Sequence, residues 1–344
     1  MNKELRIAAV GVGTLGFLHA KNIQSKVSSA RITKVLATRI ESAKNAAEKL
    51  SVDQWTTNPE EIFEDPNVDA VIITTPDKTH AELIKLAVQH GKHIFVEKPI
   101  TSTLEEAYDV IETIEKNKVI CQVGFMRRFD PAYAEAKRRI EQGDIGQPIY
   151  FKAVSRDPDS PPEAYIKNSG STIFHNFTIH DFDIARFLIG SEVSSIRAMG
   201  GVLQNDYLKK YNDYDQTLAY LTFESGALSD IETSRNAGYG YDIRAEVIGT
   251  EGTIQIGSLR KNDIKILTPD GKNSHHIVPE YQTRFKESFV IEMEHFVESV
   301  LNKSTPACTA LDALRALEIA EAADKACKMN QEVKIERKNI LVRM

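Results

Sequence analysis

The stretch LRIAAVGVGTLG, residues 5–16, decides the fold class of this chain of 344 residues. Its first half is apolar apart from Arg6 and predicts a buried strand, and glycines follow at positions 11, 13 and 16. In this G-x-G-x-x-G spacing Gly11 allows a tight turn, Gly13 lets backbone approach a pyrophosphate, and Gly16 permits close helix–sheet packing. A helical pattern follows to about Val27, so the turn has the context of a phosphate site at a helix N-terminus. The predicted cofactor contacts here are Gly11, Gly13, Thr14, Leu15 and Gly16; the alternative is a glycine-rich turn without a ligand.

Strands and helices alternate through the first third of the chain. The predicted strands are 5–10, 33–38, 68–76, 93–99 and 119–125. The predicted helices are 14–27, 42–50, 79–90 and 103–117. This alternation predicts an α/β domain with a doubly wound parallel sheet, a Rossmann domain, which we assign to residues 1–123.

The pattern changes in residues 124–344, which we assign to a second α/β domain. Alternating apolar runs at 148–156, 195–203, 217–223, 227–235, 243–256 and 264–271 are separated by turns such as GTEG and PDG. Such runs predict a mostly antiparallel sheet. Helices are predicted at 131–142, 289–301 and 310–329.

The bulk properties exclude several classes of protein. A net charge of −6 without clustered Lys and Arg argues against nucleic-acid binding. No long apolar run indicates a leader or a membrane span, so we expect a cytoplasmic protein without membrane contact. The three cysteines are far apart, which favours reduced thiols over disulfides or a zinc ribbon.

The end of the second predicted strand bears on cofactor choice. An NAD-binding site usually has an Asp or Glu there to accept hydrogen bonds from the ribose hydroxyls, whereas this chain has Ala37, Thr38 and Arg39. Without a carboxylate a 2′-phosphate is not repelled, and Thr38 and Arg39 are suited to bind it. We therefore expect NAD(P), with NADP preferred over NAD; the alternative is that Arg39 is a solvated loop residue and NAD is used.

Glu97-Lys98-Pro99 closes the apolar strand HIFV. Residues at the carboxyl end of a parallel strand lie beside the ligand crevice, where a lysine can stabilise charge developing on a reacting oxygen. Taken alone, an ion pair at the strand end explains these residues equally well.

Several motifs in order now make the chain resemble the Gfo/Idh/MocA oxidoreductase family, inositol 2-dehydrogenase-like branch, over essentially its full length. They are GVGTLG (11–16), TPDKTH (75–80), EKP (97–99), QVGFMRRFDPAY (122–133), SRDPDSPPEAYIKNSG (155–170), TIHDFDIARFL (178–188) and YGYD (239–242). The resemblance implies a Rossmann domain followed by an α/β domain with a large open, mostly antiparallel sheet, often used for tetramer assembly. A homo-oligomer, tetramer or dimer, is therefore expected.

The same resemblance implies hydride transfer between a nicotinamide cofactor and a ring secondary alcohol of a cyclitol or sugar. It carries over Lys98, His180 and position 176, here Asn176, as the catalytic set. Implied contacts with nicotinamide and ribose are Thr75, Pro76, His80, Glu97, Lys98 and Met126. Implied contacts with substrate are Lys98, Arg127, Arg156, Asp157, Tyr165, Asn176, His180 and Tyr239.

The stretch FHNFTIHDFD (174–183) contains the presumed base. If 176–188 is helical, Asn176 and His180 are i and i+4 and share a face. A neutral histidine, with a reference pKa of about 6.5, is suited to accept the alcohol proton at neutral pH. His175 and His180 are five residues apart, which is not the spacing of a helical zinc pair, so no metal site is expected.

Position 176 departs from the family pattern, which has Asp there. Asn176 can orient His180 or a substrate hydroxyl, but it has no charge to stabilise an imidazolium. The open readings are a slower dehydrogenase, one of altered specificity or direction, and a sensor that binds nicotinamide and polyol without turnover.

Overall fold

The computed structural model describes residues 4–257, 260, 266–267, 269, 273–274 and 277–338. The first elements are β1 (Leu5–Val10), α1 (Thr14–Lys26), β2 (Ala30–Leu36), α2 (Ile40–Leu50), β3 (Gln54–Thr56), α3 (Glu60–Phe63), β4 (Ala70–Ile73), α4 (His80–Gln89), β5 (His93–Glu97), α5 (Leu104–Asn117) and β6 (Cys121–Gly124). The following ones are α6 (Pro131–Glu141), β7 (Pro148–Arg156), α7 (Glu163–Ser169), α8 (Ile179–Ile189), β8 (Val193–Gly201), β9 (Gln216–Phe223), β10 (Leu228–Ser234), β11 (Asp242–Gly249) and β12 (Thr253–Ile256). The last are β13 (Ile266–Leu267), β14 (Asn273–Ser274), α9 (Tyr281–Arg284), α10 (Ser288–Asn302), α11 (Ala310–Met329) and β15 (Val333–Lys334).

The described residues form two compact units. The first comprises residues 4–129, 287–315 and 338, and the second comprises residues 130–286 and 316–337. The second unit therefore interrupts the first along the chain. The domain boundary after residue 123 stays a prediction.

The first unit contains a six-stranded sheet of order β3-β2-β1-β4-β5-β6, in which every pairing is parallel. This is the Rossmann strand order, and the predicted fold class is confirmed. β1 is buried because its side chains, Arg6 excepted, are apolar on both faces, as expected for a parallel strand with helices on either side. β3 and α3 were not predicted, since both are short and weakly patterned.

The core of the first unit includes a helix from far along the chain. Met293, Phe296, Val297 and Val300 of α10 pack with the buried apolar residues of β1, β2, α1 and α2. Phe95 of β5 lies in the same cluster and stacks edge-on with Phe296. α10 thus closes one face of the parallel sheet.

The second unit contains a seven-stranded sheet of order β12-β11-β7-β10-β9-β8-β15. Only β7 and β10 pair in parallel, so the prediction of a mostly antiparallel sheet is confirmed. The run predicted as 243–256 is the hairpin of β11 and β12. The predicted run 264–271 lies largely outside the described residues, of which 266–267 form β13.

The helix predicted over 176–188 is irregular at its start. Phe174–Thr178 is π-helical, and the α-helix α8 begins only at Ile179. Within the described part of the chain, short 3₁₀ turns occur at Asp77–Thr79, Met126–Phe129 and Asp206–Tyr211. Among the described residues, none of the helices has the combination of length and apolar character needed to cross a bilayer.

Candidate functional site

The glycine turn after β1 has the geometry that the sequence predicts for a phosphate site. Gly11 has a φ of +89°, which other residues adopt at a cost. A Cβ on Gly16 would lie 2.2 Å from Thr74 Oγ1 and 2.3 Å from the carbonyl oxygen of Gly11, so only glycine fits there. A Cβ on Gly13 would meet no atom within 4 Å. The turn is therefore tight on its inner side and open at Gly13, where a ligand can approach the backbone.

Helix α1 differs from α5 and α6 at its N-terminus. Thr103 forms a capping box with Glu106 on α5, and the Asp130 side chain accepts backbone N–H bonds at the start of α6. The N-cap of α1 is Gly13, which makes no side-chain cap, and its first turn contains no acidic residue. The N–H groups at this end thus have no anionic side chain to satisfy them, which suits a phosphate.

The other predicted cofactor residues follow strands of the same sheet. Thr38 and Arg39 are exposed after β2, and Arg39 is the N-cap of α2. Thr75 and Pro76 follow β4. Glu97 ends β5 and Lys98 comes next, joined to Pro99 by a cis peptide bond. Because these strands are parallel, their carboxyl ends share the edge at which β1 and β4 form the switch point of the strand order.

His80 is buried and holds two loops of the first unit. Its Nδ1 lies 2.9 Å from the carbonyl oxygen of Pro99 and its Nε2 lies 2.9 Å from that of Thr75. Burial lowers the pKa of His80, although the carbonyls and the charges of Asp77 and Glu97 oppose this effect. Both ring nitrogens face backbone, so the side chain supports the two predicted cofactor loops; direct contact with the cofactor stays a prediction.

His19 of α1 is a buried polar residue that the sequence predictions missed. Its Nε2 lies 2.7 Å from Oε1 of Glu97. The other oxygen of Glu97 accepts the backbone N–H of Lys98 at 3.2 Å. The available signal was a histidine three residues after Gly16, among the buried residues of α1.

Polar side chains support the π-helical segment of the second unit. The backbone N–H of Ile173 donates to Oδ1 of Asp213 at 2.7 Å, and Asp213 forms a buried ion pair with Arg235. Thr178 bonds the carbonyl of Ile173 and the hydroxyl of Thr233. Single π turns of this kind are frequent at functional sites.

The π-helical segment changes the geometry expected for Asn176. The i, i+4 relation to His180 assumed α-helical turns, whereas hydrogen bonds in a π-helix join residues five apart. Asn176 is half-buried, and its Nδ2 donates to the carbonyl of Ser171 at 3.1 Å. The amide of Asn176 is thus used to hold the segment itself.

His175 has structural contacts in the second unit. Its Nδ1 lies 3.1 Å from Thr172 Oγ1, and its Nε2 lies 3.4 Å from the carboxylate of Glu321. The hydrogen bond and charge of His175 lower the pKa of Glu321. In the described part of the chain no group of three or more His, Cys, Asp and Glu side chains is arranged to hold a metal ion.

His180 is buried in the first turn of α8, with 6% of its surface exposed. The next residue, Asp181, accepts a hydrogen bond of 2.7 Å from Ser155 Oγ on β7. α8 is therefore attached to the sheet face that carries Ser155. This attachment fixes the start of the helix on which His180 lies.

Arg156 lies on the opposite face of β7 from Ser155, because neighbouring residues of a strand point to opposite sides. Its guanidinium binds both carboxylate oxygens of Glu232 and donates to the hydroxyl of Tyr239 at 2.9 Å. Burial disfavours ionisation of Glu232, but Arg156 outweighs this effect and the pKa of Glu232 is lowered. Tyr239 in turn donates to Asp242. The structure thus ties two predicted substrate contacts to each other.

The remaining predicted substrate contacts differ in environment. Asp157 bonds through its backbone to Ser234 and Ala237. Tyr165 of α7 is 50% exposed. In the first unit, Met126 and Arg127 are buried in the 3₁₀ turn that begins after β6. Their contacts with cofactor or substrate stay predictions.

Two family models match the chain. The oxidoreductase family, NAD-binding Rossmann fold, matches residues 5–125, and the oxidoreductase family, C-terminal alpha/beta domain, matches residues 137–335. Both models describe domains of the Gfo/Idh/MocA family.

Similar proteins span nearly the whole chain. A scyllo-inositol 2-dehydrogenase (NAD(+)) of Bacillus subtilis is 47% identical over 98% of this chain and 98% of its own. A myo-inositol 2-dehydrogenase of Thermotoga maritima is 36% identical over 96% of this chain and 99% of its own. The crystal structure of a scyllo-inositol dehydrogenase from Lactobacillus casei with bound NAD(H) and scyllo-inositol has a TM-score of 0.90 at 30% identity, over 97% of this chain and 99% of that one.

Proposed function

This chain belongs to the Gfo/Idh/MocA oxidoreductase family and is similar to inositol 2-dehydrogenases, and we propose on that premise that it oxidises a ring secondary alcohol of an inositol. The enzyme is a nicotinamide-dependent dehydrogenase acting on CH–OH. The observation that carries the proposal is 47% identity over 98% of the chain with a scyllo-inositol 2-dehydrogenase.

The experiment that tests this function is a turnover screen of the purified protein. Myo-, scyllo- and chiro-inositol, glucose and related sugars are incubated with NAD and, in parallel, NADP, and formation of the reduced cofactor is followed by absorbance. Turnover of at least one inositol is expected. No turnover of any polyol or sugar with either cofactor would reject the proposal.

The first unit fits a nicotinamide dinucleotide. Gly13 is open to a ligand, and the N-terminus of α1 has N–H groups without an acidic side chain. When bound, the cofactor supplies the hydride acceptor or donor. Gly11, Gly13, Thr14, Leu15 and Gly16 would hold its pyrophosphate, and Thr75, Pro76, His80, Glu97 and Met126 are proposed around its ribose and nicotinamide.

Lys98 is proposed to bind the reacting oxygen. An ammonium at this oxygen stabilises alkoxide character during oxidation and polarises the carbonyl in the reverse direction. The residue follows β5 at the carboxyl edge of the parallel sheet, and its backbone N–H is fixed by Glu97. These contacts support a defined position for Lys98.

His180 is proposed as the general base that takes the hydroxyl proton, with Asn176 as its neighbour in the catalytic set. Burial of His180 and the anchoring of α8 through Asp181 and Ser155 support a fixed ring position. The second candidate function, a sensor that binds without turnover, is favoured by the neutral side chain of Asn176. Turnover that is abolished by His180→Ala would exclude it.

The substrate class that we propose is a polyol whose hydroxyls need both donors and acceptors. Arg127, Asp157, Tyr165 and Tyr239 supply both kinds of group. Arg156 is proposed as a further contact, and its ion pair with Glu232 supports an additional role in positioning Tyr239. Which isomer is preferred depends on this arrangement.

We propose NADP as the preferred form of the cofactor. Arg39 is exposed at the N-cap of α2, and the three residues that follow β2, Ala37, Thr38 and Arg39, include no Asp or Glu to repel a 2′-phosphate. The alternative, NAD, is favoured by the similarity to the B. subtilis scyllo-inositol 2-dehydrogenase (NAD(+)). The ratio of kcat/KM for the two cofactors in the turnover screen decides between them.

The open face of the second sheet is proposed as the surface that forms a homotetramer or dimer. Met199, Leu218, Tyr220 and Leu228 are each 36–49% exposed on neighbouring strands. Across the same face the paired positions Arg197, Tyr220, Asp230, Lys152 and Glu246 form a row of alternating charge around the tyrosine. A second copy of this face, rotated by a two-fold axis, offers complementary charges.

Assembly is tested by light scattering after size-exclusion chromatography. Tyr220→Glu is expected to reduce the mass of the particle, because it buries a charge in an interface. Leu203→Lys, at an exposed leucine outside the strands, is the control and should leave the mass unchanged. A monomeric unmodified protein would reject the proposed assembly.

We also propose a cytoplasmic location, which fractionation of expressing cells would check.

A further inference from the structure

A buried polar cluster lies behind the Glu97–Lys98 turn in the first unit. It consists of His19 from α1, Glu97 from β5, Gln122 from β6 and Glu292 from α10, which are between 0% and 9% exposed. Gln122 Nε2 donates to the backbone carbonyl of Glu292 at 2.9 Å. The four residues come from four elements that also contribute to the packing of the first unit.

The carboxylate of Glu97 is held on three sides. Oε1 lies 2.7 Å from His19 Nε2, and Oε2 accepts the backbone N–H of Lys98. A Cβ on Gly124 would lie 3.0 Å from the carboxyl carbon and from both oxygens, so the glycine leaves room for the carboxylate. The ring of His19 is itself fixed edge-on against Phe95 and Phe289.

We propose that His19 and Glu292 are positioning residues: His19 holds the carboxylate of Glu97, and Glu292 limits the cluster to one negative charge beside the Lys98 turn. The inference rests on the proposed function for the role of Lys98. It assigns a purpose to two buried groups that the reaction itself does not use.

Glu292 is fully buried, and neither of its carboxyl oxygens has a hydrogen-bond partner among the described residues. An ionised carboxylate in that environment would be strongly destabilising, and a second one near Glu97 more so. Burial and then the charge of Glu97 raise the pKa of Glu292 well above its usual value. Glu292 therefore holds a proton while Glu97 carries the charge.

The hydrogen of His19 belongs on Nε2. His19 Nδ1 is buried and has no partner among the described residues, so a hydrogen there would have no acceptor. With its hydrogen on Nε2 the ring donates to Glu97. Loss of this donor would leave Oε1 of Glu97 buried without a partner, and Glu97 would then take up a proton more readily.

Other ionisable groups on the packed elements have partners of their own or are neutral. His80 interacts electrostatically with Glu97, but both of its ring nitrogens face backbone carbonyls. Arg127 is buried in the 3₁₀ turn beside α10, and Arg128 binds Asp312 and the carbonyl of Ala307. His295 of α10 accepts the backbone N–H of Ala307. Cys121 of β6 is buried, which raises the pKa of its thiol to about 12.

The first test does not depend on turnover. Infrared spectra of the full-length protein with NAD bound are recorded against pH, since a protonated carboxyl group absorbs apart from carboxylates. One acid band is expected at pH 7, and Glu292→Gln should remove it, whereas the exposed control Glu298→Gln should not. An acid band that persists in Glu292→Gln, or no acid band in the unmodified protein, would overturn the assignment of Glu292.

The second test concerns His19. His19→Phe keeps an aromatic ring and removes the donor, whereas His19→Gln retains an amide donor. His19→Phe should add a second acid band that grows as the pH is lowered, move the acidic limb of the kcat/KM profile up by about one pH unit and lower kcat about tenfold. His19→Gln should show most of the behaviour of the unmodified protein in each of these measurements. If both variants change only thermal stability, His19 is merely structural and the proposal is wrong; if the unmodified protein turns over no polyol, the proposed function fails, and the infrared results still decide on His19 and Glu292.

Discussion

The glycine turn of the first unit and the π-helical segment of the second both prepare the start of a helix, but with different atoms. At Gly11–Gly16 the useful groups are backbone N–H groups, exposed because side chains are missing. At Phe174–Thr178 and the first turn of α8 the useful groups are the side chains of Asn176 and His180. A site made of backbone depends on what is absent, and a site made of side chains depends on which residue is present.

Because of this difference, the glycine turn and the π-helical segment should tolerate different substitutions. In the glycine turn an added methyl group at position 16 collides with Thr74 and Gly11. In the π-helical segment the backbone is already irregular, and Asp213 and Arg235 support it. Substitutions in the glycine turn should therefore affect folding and cofactor binding. Substitutions in the π-helical segment and the first turn of α8 should affect the rate of reaction.

The largest effect is expected for a substitution of His180 in the first turn of α8. His180→Ala removes the proposed general base, so kcat/KM for an inositol should fall by about 10²–10⁴-fold while NAD(H) affinity stays the same. Steady-state kinetics and cofactor fluorescence titration measure the two quantities. His175→Ala is the matched control, and an equal loss of rate in that variant would contradict the assignment.

Substitutions of two glycines test the glycine turn. Gly16→Ala should lower the free energy of unfolding by about 1–3 kcal/mol, because its Cβ overpacks against Thr74 and Gly11. Gly13→Ala meets no protein atom and should leave stability nearly unchanged, but weaken NAD(H) binding about tenfold or more. Urea unfolding and fluorescence titration distinguish them. Equal destabilisation by both substitutions would show that the turn is not divided in this way.

Asn176→Asp tests the role of the side chain at position 176 in the π-helical segment. A carboxylate near the base strengthens its hydrogen bonding and stabilises the imidazolium, so kcat for an inositol should rise about tenfold if Asn176 only weakens a family-type arrangement. Stopped-flow measurement of the chemical step gives the answer. An unchanged or lower kcat would mean that the bond from Asn176 to Ser171 makes the amide itself necessary.

Arg39→Ala tests the proposed 2′-phosphate contact in the first unit. If Arg39 binds a 2′-phosphate, the ratio of kcat/KM for NADP over NAD should fall about fivefold to tenfold, the effect of one charge-assisted hydrogen bond. Lys44→Ala, on the outer part of α2, serves as the control. A ratio that is already below one in the unmodified protein would reject the preference for NADP.

The smallest effect concerns the pH dependence of stability. The pKa of His80 in the folded protein is lowered by burial, so its neutral form stabilises the fold above the unfolded value of about 6.5, and this contribution is lost as pH falls below it. Relative to His80→Gln, the unmodified protein should lose stability as the pH falls below about 6.5. Urea unfolding at several pH values measures the difference. Parallel curves for the two proteins would show that His80 does not titrate on unfolding.

Much of the first unit was accessible from the sequence because its signals are local. The glycine spacing, the apolar strands and the position of Lys98 at a strand end follow from residues within a few turns of one another. The short elements β3 and α3 and the exact ends of β2 and β4 did not follow, since hydrogen bonds between distant strands set them.

The second unit was less predictable. The positions of His180 and Asn176 in a helical stretch were expected, but the π-helical turns were not, because they depend on Asp213, forty residues beyond Ile173. The opposite sides of Ser155 and Arg156 follow from strand geometry once β7 is known. The partners Asp181 and Glu232 follow only from the packing of the sheet.

The Rossmann domain, the mostly antiparallel second sheet and the family could be predicted from the sequence, because periodicity, glycine spacing and motif order are properties of neighbouring residues. The packing of α10 in the first unit and the buried cluster of His19, Glu97 and Glu292 became visible only in the folded chain. The residues of that cluster are separated by up to 273 positions. Their charges depend on burial and mutual distance, which exist only once the chain has folded.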